Sequence, residues 1–377
     1  MRALVAGARR LQPQQLAFIQ RLARIESPSD DASATRRALD FAAREAHALG
    51  ARVKIMKAPP SGGILSAAFG PRSAKSRVLL LGHLDTVWPL GTLKSMPVKL
   101  EGKTLHGPGV FDMKAGVAIA FTALRLLKEA GADDRLAVQL LLSSDEETGS
   151  RASRAAIEHA AKNCSAVFVL EPAQSLAYKT ARKGTGNWRI DVHGRAAHAG
   201  VDFEKGRSAV LELARQLERI AAFTDLRRGL TVSAGLIGGG TTTNVVPAHA
   251  WAEGDLRIAR KSDAARIMAK FDRLRPIDRE CEIEISAEIN RPPMERTRGT
   301  ARLFTRARLL ASELDWDLEE AATGGASDGN FTSALGIPTL DGMGAVGLGA
   351  HAAHEQIDVT ELPRRTALLA ALMATQE

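Results

Sequence analysis

Four short segments of this chain carry imidazoles and carboxylates of the kind that bind divalent metals. Each follows an apolar run or lies in a glycine-rich loop. The first is Gly-His-Leu-Asp-Thr-Val (82–87), directly after the apolar run 78–81. Side chains alternate along a strand, so His83 and Asp85 share a face. They read as two ligands, or as one ligand and the carboxylate that orients it. The second segment is Gly-Pro-Gly-Val-Phe-Asp-Met-Lys-Ala-Gly (107–116), with a single carboxylate, Asp112, in a loop that opens a helix. The third, Ser-Ser-Asp-Glu-Glu-Thr-Gly (143–149), follows the predicted strand 136–142, and the fourth, Glu171-Pro172, follows the apolar run 166–170. Ligands at the carboxyl ends of successive parallel strands meet in one crevice, where α/β sheets bind their ligands.

Glu146 and Glu147 are neighbours leaving a strand, so they point in different directions. One can bind metal while the other faces water. A divalent ion lowers the pKa of water it binds, and an adjacent carboxylate can take the proton. Two ions roughly 3.5–4 Å apart need a bridging carboxylate, and Asp112 is the candidate.

The elements that must position these groups follow from capping and periodicity. A short amphipathic helix is predicted over 16–24. Asp31 caps a longer one over 33–49, closed by Gly50. Strands are predicted over 52–56, 64–69 and 77–81. A long helix over 113–130 ends at Gly131, and a helix over 150–162 separates buried strands at 136–143 and 166–170. Apolar strands alternating with helices argue for a largely parallel, helix-covered sheet. After residue 182 the rhythm changes. Residues 187–193 alternate, with Trp188, Ile190 and Val192 on one face. A helix over 206–223, strands over 231–237 and 249–258, a helix over 263–274 and a strand over 282–289 follow. The order β-α-β-β-α-β is ferredoxin-like. From residue 300 the α/β rhythm returns and closes with a helix over 360–374. The expected architecture is an α/β catalytic domain with a helix-covered mixed sheet, residues 1–182 and 293–377. An inserted α+β domain, residues 183–292, interrupts it.

Composition narrows the function classes. The 377 residues are 45% hydrophobic and 25% charged, as in ordinary globular proteins. The formal charge is +8, but the Lys and Arg residues are scattered and there is only one Tyr. A contiguous basic face with stacking aromatics, as nucleic-acid binding requires, is not supplied. No run is long enough for a membrane span and no signal-peptide core is evident, so a cytoplasmic location is expected. Cys164 and Cys281 form neither a disulfide framework nor a zinc spacing and read as buried small hydrophobes. Of the histidines, His47, His106, His159, His193 and His249 read as structural or surface groups. His198 lies in a small-residue loop, Arg-Ala-Ala-His-Ala-Gly (195–200), and is a loop histidine or a substrate contact. His351 and His354 share a glycine-rich stretch (347–355), and either can be the missing nitrogen ligand.

With these stretches assembled, the chain resembles the dinuclear zinc peptidase and deacylase family, which includes glutamate carboxypeptidase, acetylornithine deacetylase, succinyl-diaminopimelate desuccinylase, aminoacylase and peptidase T. The resemblance rests on segments 82–87, 107–116, 144–150 and 171–172, the Ala-His-Ala-Gly loop (197–200), and Ser-Asp-Gly-Asn-Phe (327–331) with the later Gly-Ala-His. It implies that His83, Asp112 and Glu171 hold one zinc, and that Asp112, Glu147 and His351 hold the other; cobalt or manganese are alternatives. It implies that Glu146 is the general base, that Asp85 orients His83, and that His198 stabilises the oxyanion of a partner subunit's substrate. Asn244, Arg257 and Arg291 match substrate-binding positions; an arginine fork suits a carboxylate. Surface or hinge ion pairing is the alternative for the two arginines. Gln356 stands where the family often has an aromatic residue, a departure from the pattern.

The expected function is metal-dependent amide hydrolysis of a small substrate. The run 327–344 most resembles the branch that releases a C-terminal, glutamate-like residue from a peptide or N-acyl group. An N-acyl-amino-acid deacylase is the same-fold alternative, and a non-catalytic metal-binding homologue the alternative from another class. The inserted domain is expected to form a homodimer.

Overall fold

The computed structural model describes residues 1–74, 76–132 and 136–376. The chain divides into two compact units. One comprises Met1–Ala181, Arg296–Ala322 and Ser327–Glu377, the other Arg182–Glu295 and Thr323–Ala326. The short return of 323–326 to the second unit has no counterpart in the sequence reading.

The first unit is built on a six-stranded mixed sheet. Its order is Arg52–Met56, Ile64–Phe69, Leu136–Ser143, Ser76–His83, Ala166–Val169 and Thr339–Leu340. The first two strands pair antiparallel with their neighbours and the remaining pairings are parallel. Strand Ser76–His83 shows why both faces need cover. Val78 and Leu80 belong to one buried cluster with helices Arg2–Ala23, Ala32–Ala48, Ala115–Glu129 and Leu362–Ala374. Leu79 and Leu81 belong to another, with Ile157, Ala160 and Ala161 of helix Arg154–Ala161. A strand buried on both faces has to be continuously apolar, as this one is from Val78 to Leu81. Asp31 caps its helix as the sequence suggests, its carboxylate accepting the N–H groups of Ser33 and Ala34 at 2.9 Å.

Two features depart from the sequence reading. The N-terminal helix starts at Arg2, not at residue 16, and runs through Pro13. Its buried face includes Ala8, Leu11, Gln15, Ile19 and Leu22, an uneven stripe that packing against helices Ala115–Glu129 and Leu362–Ala374 completes. A second, antiparallel sheet links Gly347–Leu348, Gln356–Asp358, Thr104–His106 and Lys99–Glu101. Strands of two or three residues leave no periodic signature, yet this sheet carries the loops that hold Asp112 and His351.

The second unit is a four-stranded antiparallel sheet ordered Thr231–Gly239, His249–Ile258, Gly184–His193 and Glu282–Arg291. Helices Ala209–Ala221 and Lys261–Asp272 pack on one face. Trp188, Ile190 and Val192 point into that core beside Leu213, Ile220, Ile267 and Phe271. Strand order and helix placement are those of the ferredoxin-like arrangement. Among the described residues, no helix is long and apolar enough to cross a membrane.

Candidate metal centre

Strand register delivers three of the acidic segments to one place. His83 ends its strand opposite Ser143 in the parallel neighbour. The chain leaving Ser143 therefore presents Glu146 and Glu147 beside it. On the other side Leu81 pairs with Val169, and two residues on comes Glu171. Asp112 arrives by a different route. His106 and Gln356 are register partners in the small sheet. The loop leaving His106 carries Asp112, and the loop entering Gln356 carries His351. The peptide between Asp112 and Met113 is cis.

These groups converge. His83 Nε2 lies 3.3 Å from Asp112 Oδ1 and 3.7 Å from Glu171 Oε1. His351 Nε2 lies 3.4 Å from Asp112 Oδ2 and 3.2 Å from Glu147 Oε1. The two oxygens of Asp112 thus face two different imidazoles. One oxygen of Glu146 lies within 4.8 Å of ligand atoms of His83 and Glu171. His351, with φ of 62°, takes the left-handed conformation that few side chains adopt; it and His354 are both exposed.

The donor set fits divalent metal. A tetrahedral ion with bonds of about 2.0–2.1 Å has ligand–ligand edges of roughly 3.3–3.4 Å, and the four separations above cluster around that length. Asp112 Oδ1 and Glu147 Oε1 are buried and accept no hydrogen bond among the described residues, as oxygens aimed at a cation would be. Protons substitute for a cation in the electrostatics. Burial disfavours the His83 imidazolium, but Asp112 and Asp85 outweigh burial and hold its pKa well above the ordinary value. Asp112 and Glu147 raise His351 to about 10. Burial opposes the Asp112 carboxylate, yet His351 and His83 together hold its pKa below the usual range.

Asp85 does more than face the ring of His83. His83 Nδ1 is 3.0 Å from the Asp85 main-chain oxygen and 3.5 Å from Oδ1. The Asp85 carboxylate accepts the main-chain N–H of Glu146 at 3.2 Å and of Glu147 at 3.1 Å, and the Ser29 hydroxyl at 2.8 Å. It therefore fixes the backbone from which both glutamates project. Ser29 was not singled out in the sequence; it lies in a loop with no chemical motif, and the Pro28–Thr86 bridge with the hydrogen bonds between residues 27–29 and 84–86 brings it near.

The remaining candidates lie in the second unit. His198 Nδ1 accepts the N–H groups of Gly200 and Val201 at 3.1 and 3.2 Å. A nitrogen that accepts cannot carry the proton of a neutral ring, so Nε2 is the donor. His198 pairs with Val245, and the Ala199 N–H donates to the Asn244 main-chain oxygen at 3.0 Å. The His198 and Asn244 loops are thereby joined. Arg257 spends its Nε–Nη2 edge on both oxygens of Asp255 at 2.8–3.0 Å, and its Nη1 donates to the Gly324 carbonyl at 3.3 Å. That is the ion-pairing alternative in full view. Arg291 is buried at the end of strand Glu282–Arg291. His249, read as a structural or surface group, has Asp191 at 3.2 Å, the residue two before its register partner His193 on the adjacent strand.

The family model described as peptidase family M20/M25/M40 matches residues 79–375. The chain belongs to this family. Among curated M20-type relatives, carboxypeptidase G2 of Pseudomonas sp. (strain RS-16) is 29% identical over 370 residues, covering 96% of this chain and 89% of that protein. Succinyl-diaminopimelate desuccinylase of Dechloromonas aromatica is 28% identical over 307 residues, covering 76% and 80%. Among solved structures, aminopeptidase PepT of Bacillus cereus superimposes with a TM-score of 0.79 at 20% identity, covering 96% of this chain and 98% of that one. The M20 family metallo-carboxypeptidase Sso-CP2 of Sulfolobus solfataricus gives 0.73 at 16% identity, with the same coverage. The M20 chain is thus a hydrolytic enzyme, a metallopeptidase of carboxypeptidase-like type.

Proposed function

We propose that this M20 enzyme holds two zinc ions, with Asp112 between them, and releases a C-terminal acidic, glutamate-like residue from a peptide or N-acyl group. The observation that carries the two-metal reading is Asp112 itself, whose Oδ1 faces His83 at 3.3 Å while Oδ2 faces His351 at 3.4 Å. His83 and Glu171 complete one ligand set, His351 and Glu147 the other. When bound, zinc supplies Lewis acidity to the substrate carbonyl and lowers the pKa of water. The chain's own groups do the rest. Glu146 takes the proton of the attacking water and returns it to the leaving nitrogen. Asp85 keeps Glu146 and Glu147 in register through their N–H groups. His198, with its proton on Nε2, donates to the developing oxyanion of the partner subunit's substrate.

The likeness to carboxypeptidase G2 over 96% of the chain supports the carboxypeptidase reading. Arg291 and Asn244 are the proposed contacts for the substrate's carboxylate end; Arg257 can join them only through its Nη1 side. The likeness to a succinyl-diaminopimelate desuccinylase supports a second reading, removal of an acyl group from an amino acid. A zinc-loaded panel of N-acyl glutamates, N-acetyl-ornithine and dipeptides separates the two. Preference for the glutamates supports the first reading, and preference for N-acetyl-ornithine replaces it with the second. Glu146→Gln should keep its metal and lose roughly 10²–10⁴-fold in kcat; wild-type turnover from that variant would remove Glu146 as the base.

A homodimer through the second unit belongs to the same proposal. Strand Thr231–Gly239 is a sheet edge, with Leu236 58% and Ile237 65% exposed. Val210 and Leu211 are exposed on the neighbouring helix. An apolar edge of this kind is normally covered by pairing. Light scattering should give a dimer mass, and Ile237→Lys should shift it toward monomer. Both cysteines are buried and free, which supports a reducing, cytoplasmic setting.

A further inference from the structure

Glu355 is a carboxylate buried to 1% exposure, and four donors converge on it. Its Oε1 accepts the main-chain N–H of Phe111 at 2.9 Å and of Asp112 at 3.0 Å. Its Oε2 accepts the N–H of Gly109 at 2.9 Å and the indole Nε1–H of Trp88 at 2.8 Å. These donors come from two of the segments that carry the metal candidates. Trp88 follows the His83 segment, and Gly109 to Asp112 is the loop of the shared carboxylate. Glu355 itself ends the glycine-rich stretch 347–355, four residues after His351. Its own carbonyl accepts the Gly107 N–H at 3.3 Å, next to the His106–Gln356 pair from which both loops spring. A buried carboxylate ringed by N–H dipoles is a strong, directional tie.

We propose that Glu355 is a positioning residue: it fixes the main chain of Asp112, and so holds that carboxylate between His83 and His351. The proposal rests on the reading of Asp112 as a shared metal ligand. Glu355→Gln tests it with little change of shape. One carboxylate oxygen becomes an NH₂ group. Whichever way the amide turns, two N–H groups lose their acceptor and face another donor.

Full-length metal-free protein is titrated with Zn²⁺ against a chromophoric chelator, and the thermal midpoint of each metal-free variant is recorded. Glu355→Gln should bind zinc roughly 10–100-fold more weakly than wild type. Trp88→Phe, which removes one donor and leaves the carboxylate, should lose roughly 3–10-fold. Glu212→Gln is the control. Glu212 is equally buried, lies in the second unit, and accepts the N–H groups of Ile277 and Asp278 at 2.8 and 3.0 Å. It should lower the midpoint and leave zinc affinity at the wild-type value. Should Glu355→Gln fail to fold, Trp88→Phe carries the test, and wild-type affinity from it overturns the proposal. A folded Glu355→Gln with wild-type zinc affinity and a lowered midpoint, the pattern of Glu212→Gln, overturns it too and leaves the metal reading intact. Wild-type zinc affinity in Asp112→Asn would overturn the reading of Asp112 and the Glu355 proposal together.

Discussion

Gly116→Ala offers a severe test of how the metal centre is held. Gly116 lies in the first turn of helix Ala115–Glu129, and a Cβ there would sit 1.9 Å from the Leu170 carbonyl oxygen, 3.0 Å from its carbon and 3.3 Å from Gly344 Cα. All three are main-chain atoms, so no side chain can turn aside. A carbon meets a carbonyl oxygen at roughly 3.3 Å or more, so the helix and the 170–171 segment must part by about 1.4 Å. The segment has little room to give. The Leu170 N–H is bonded to Leu81 at 2.9 Å, and the Glu171 carbonyl accepts from Gly344 at 2.8 Å. Arg365, fully buried, donates to the carbonyls of Gly342 and Gly344 behind it. Metal–ligand distances tolerate about 0.2 Å, and a misplacement of 1 Å can cost about 10²-fold in rate. Gly116→Ala should therefore drop kcat by about 100-fold or more and reduce bound zinc from two per chain toward one, because Glu171 serves only one of the proposed ions. Overpacking costs roughly 1–3 kcal/mol, a fall of roughly 2–12 °C in thermal midpoint for a unit of this size. Elemental analysis, calorimetry and turnover on the best substrate of the panel measure the three effects. Gly324→Ala is the control, since a Cβ there meets nothing within 4 Å. Wild-type zinc content and turnover in Gly116→Ala would refute the argument that the helix start sets the position of Glu171.

Four further outcomes follow. Asp85→Asn replaces one of two oxygens that accept from Glu146, Glu147 and Ser29; at saturating zinc it should keep its metal and lose roughly 10–100-fold in kcat, and an unchanged kcat would limit Asp85 to the ring of His83. In metal-free protein, Asp112 and Glu147 raise His351 to about 10, so zinc binding at pH 8 should release at least one proton per chain and strengthen as pH rises toward 10. Calorimetry in buffers of different ionisation enthalpy counts the protons released. By linkage, the stability that His351 lends the metal-free chain is complete below its unfolded pKa near 6.5 and is lost as pH rises through about 10; a metal-free midpoint that rose across that interval would contradict it. Burial pushes the Cys164 thiol up to about 11 and raises Cys281 as well, so a disulfide reagent at pH 8 should find both thiols inert in native protein and reactive in denaturant.

The sequence carries the parts of the site that are chemical and the parts of the fold that are periodic. Strand Leu136–Ser143 can be read because it is apolar but for Gln139 until it stops at a polar run. His83, Glu146, Glu147 and Glu171 can be read because parallel strands end in the same crevice, and each lies within a few residues of a strand end. Asp112 and His351 are harder to read. They come from loops whose only regular structure is a sheet of two- and three-residue strands, and a choice between His351 and His354 has no basis in residue type. The structure distinguishes them by direction alone: both are exposed, and it is His351 that faces Asp112 and Glu147.

What the sequence conceals most completely is the tie between segments. Glu355 has the chemistry of any surface glutamate until the fold encloses it and turns four N–H groups toward it. Asp85 looks like a partner for the histidine two residues before it, whereas its carboxylate oxygens take main-chain hydrogen bonds sixty residues away. In both cases the acid acts on backbone, and backbone donors are the same in every residue but proline, so no residue pattern can announce them. This explains why a motif can name the ligands of a metal centre without saying what holds them. A ligand needs its own side chain, whereas a positioning carboxylate needs only that some N–H groups be brought to it. The consequence is directional: substitution of the Phe111 side chain, which is not a proposed ligand, should disturb zinc affinity far less than Glu355→Gln, because what Glu355 grips at Phe111 is main chain.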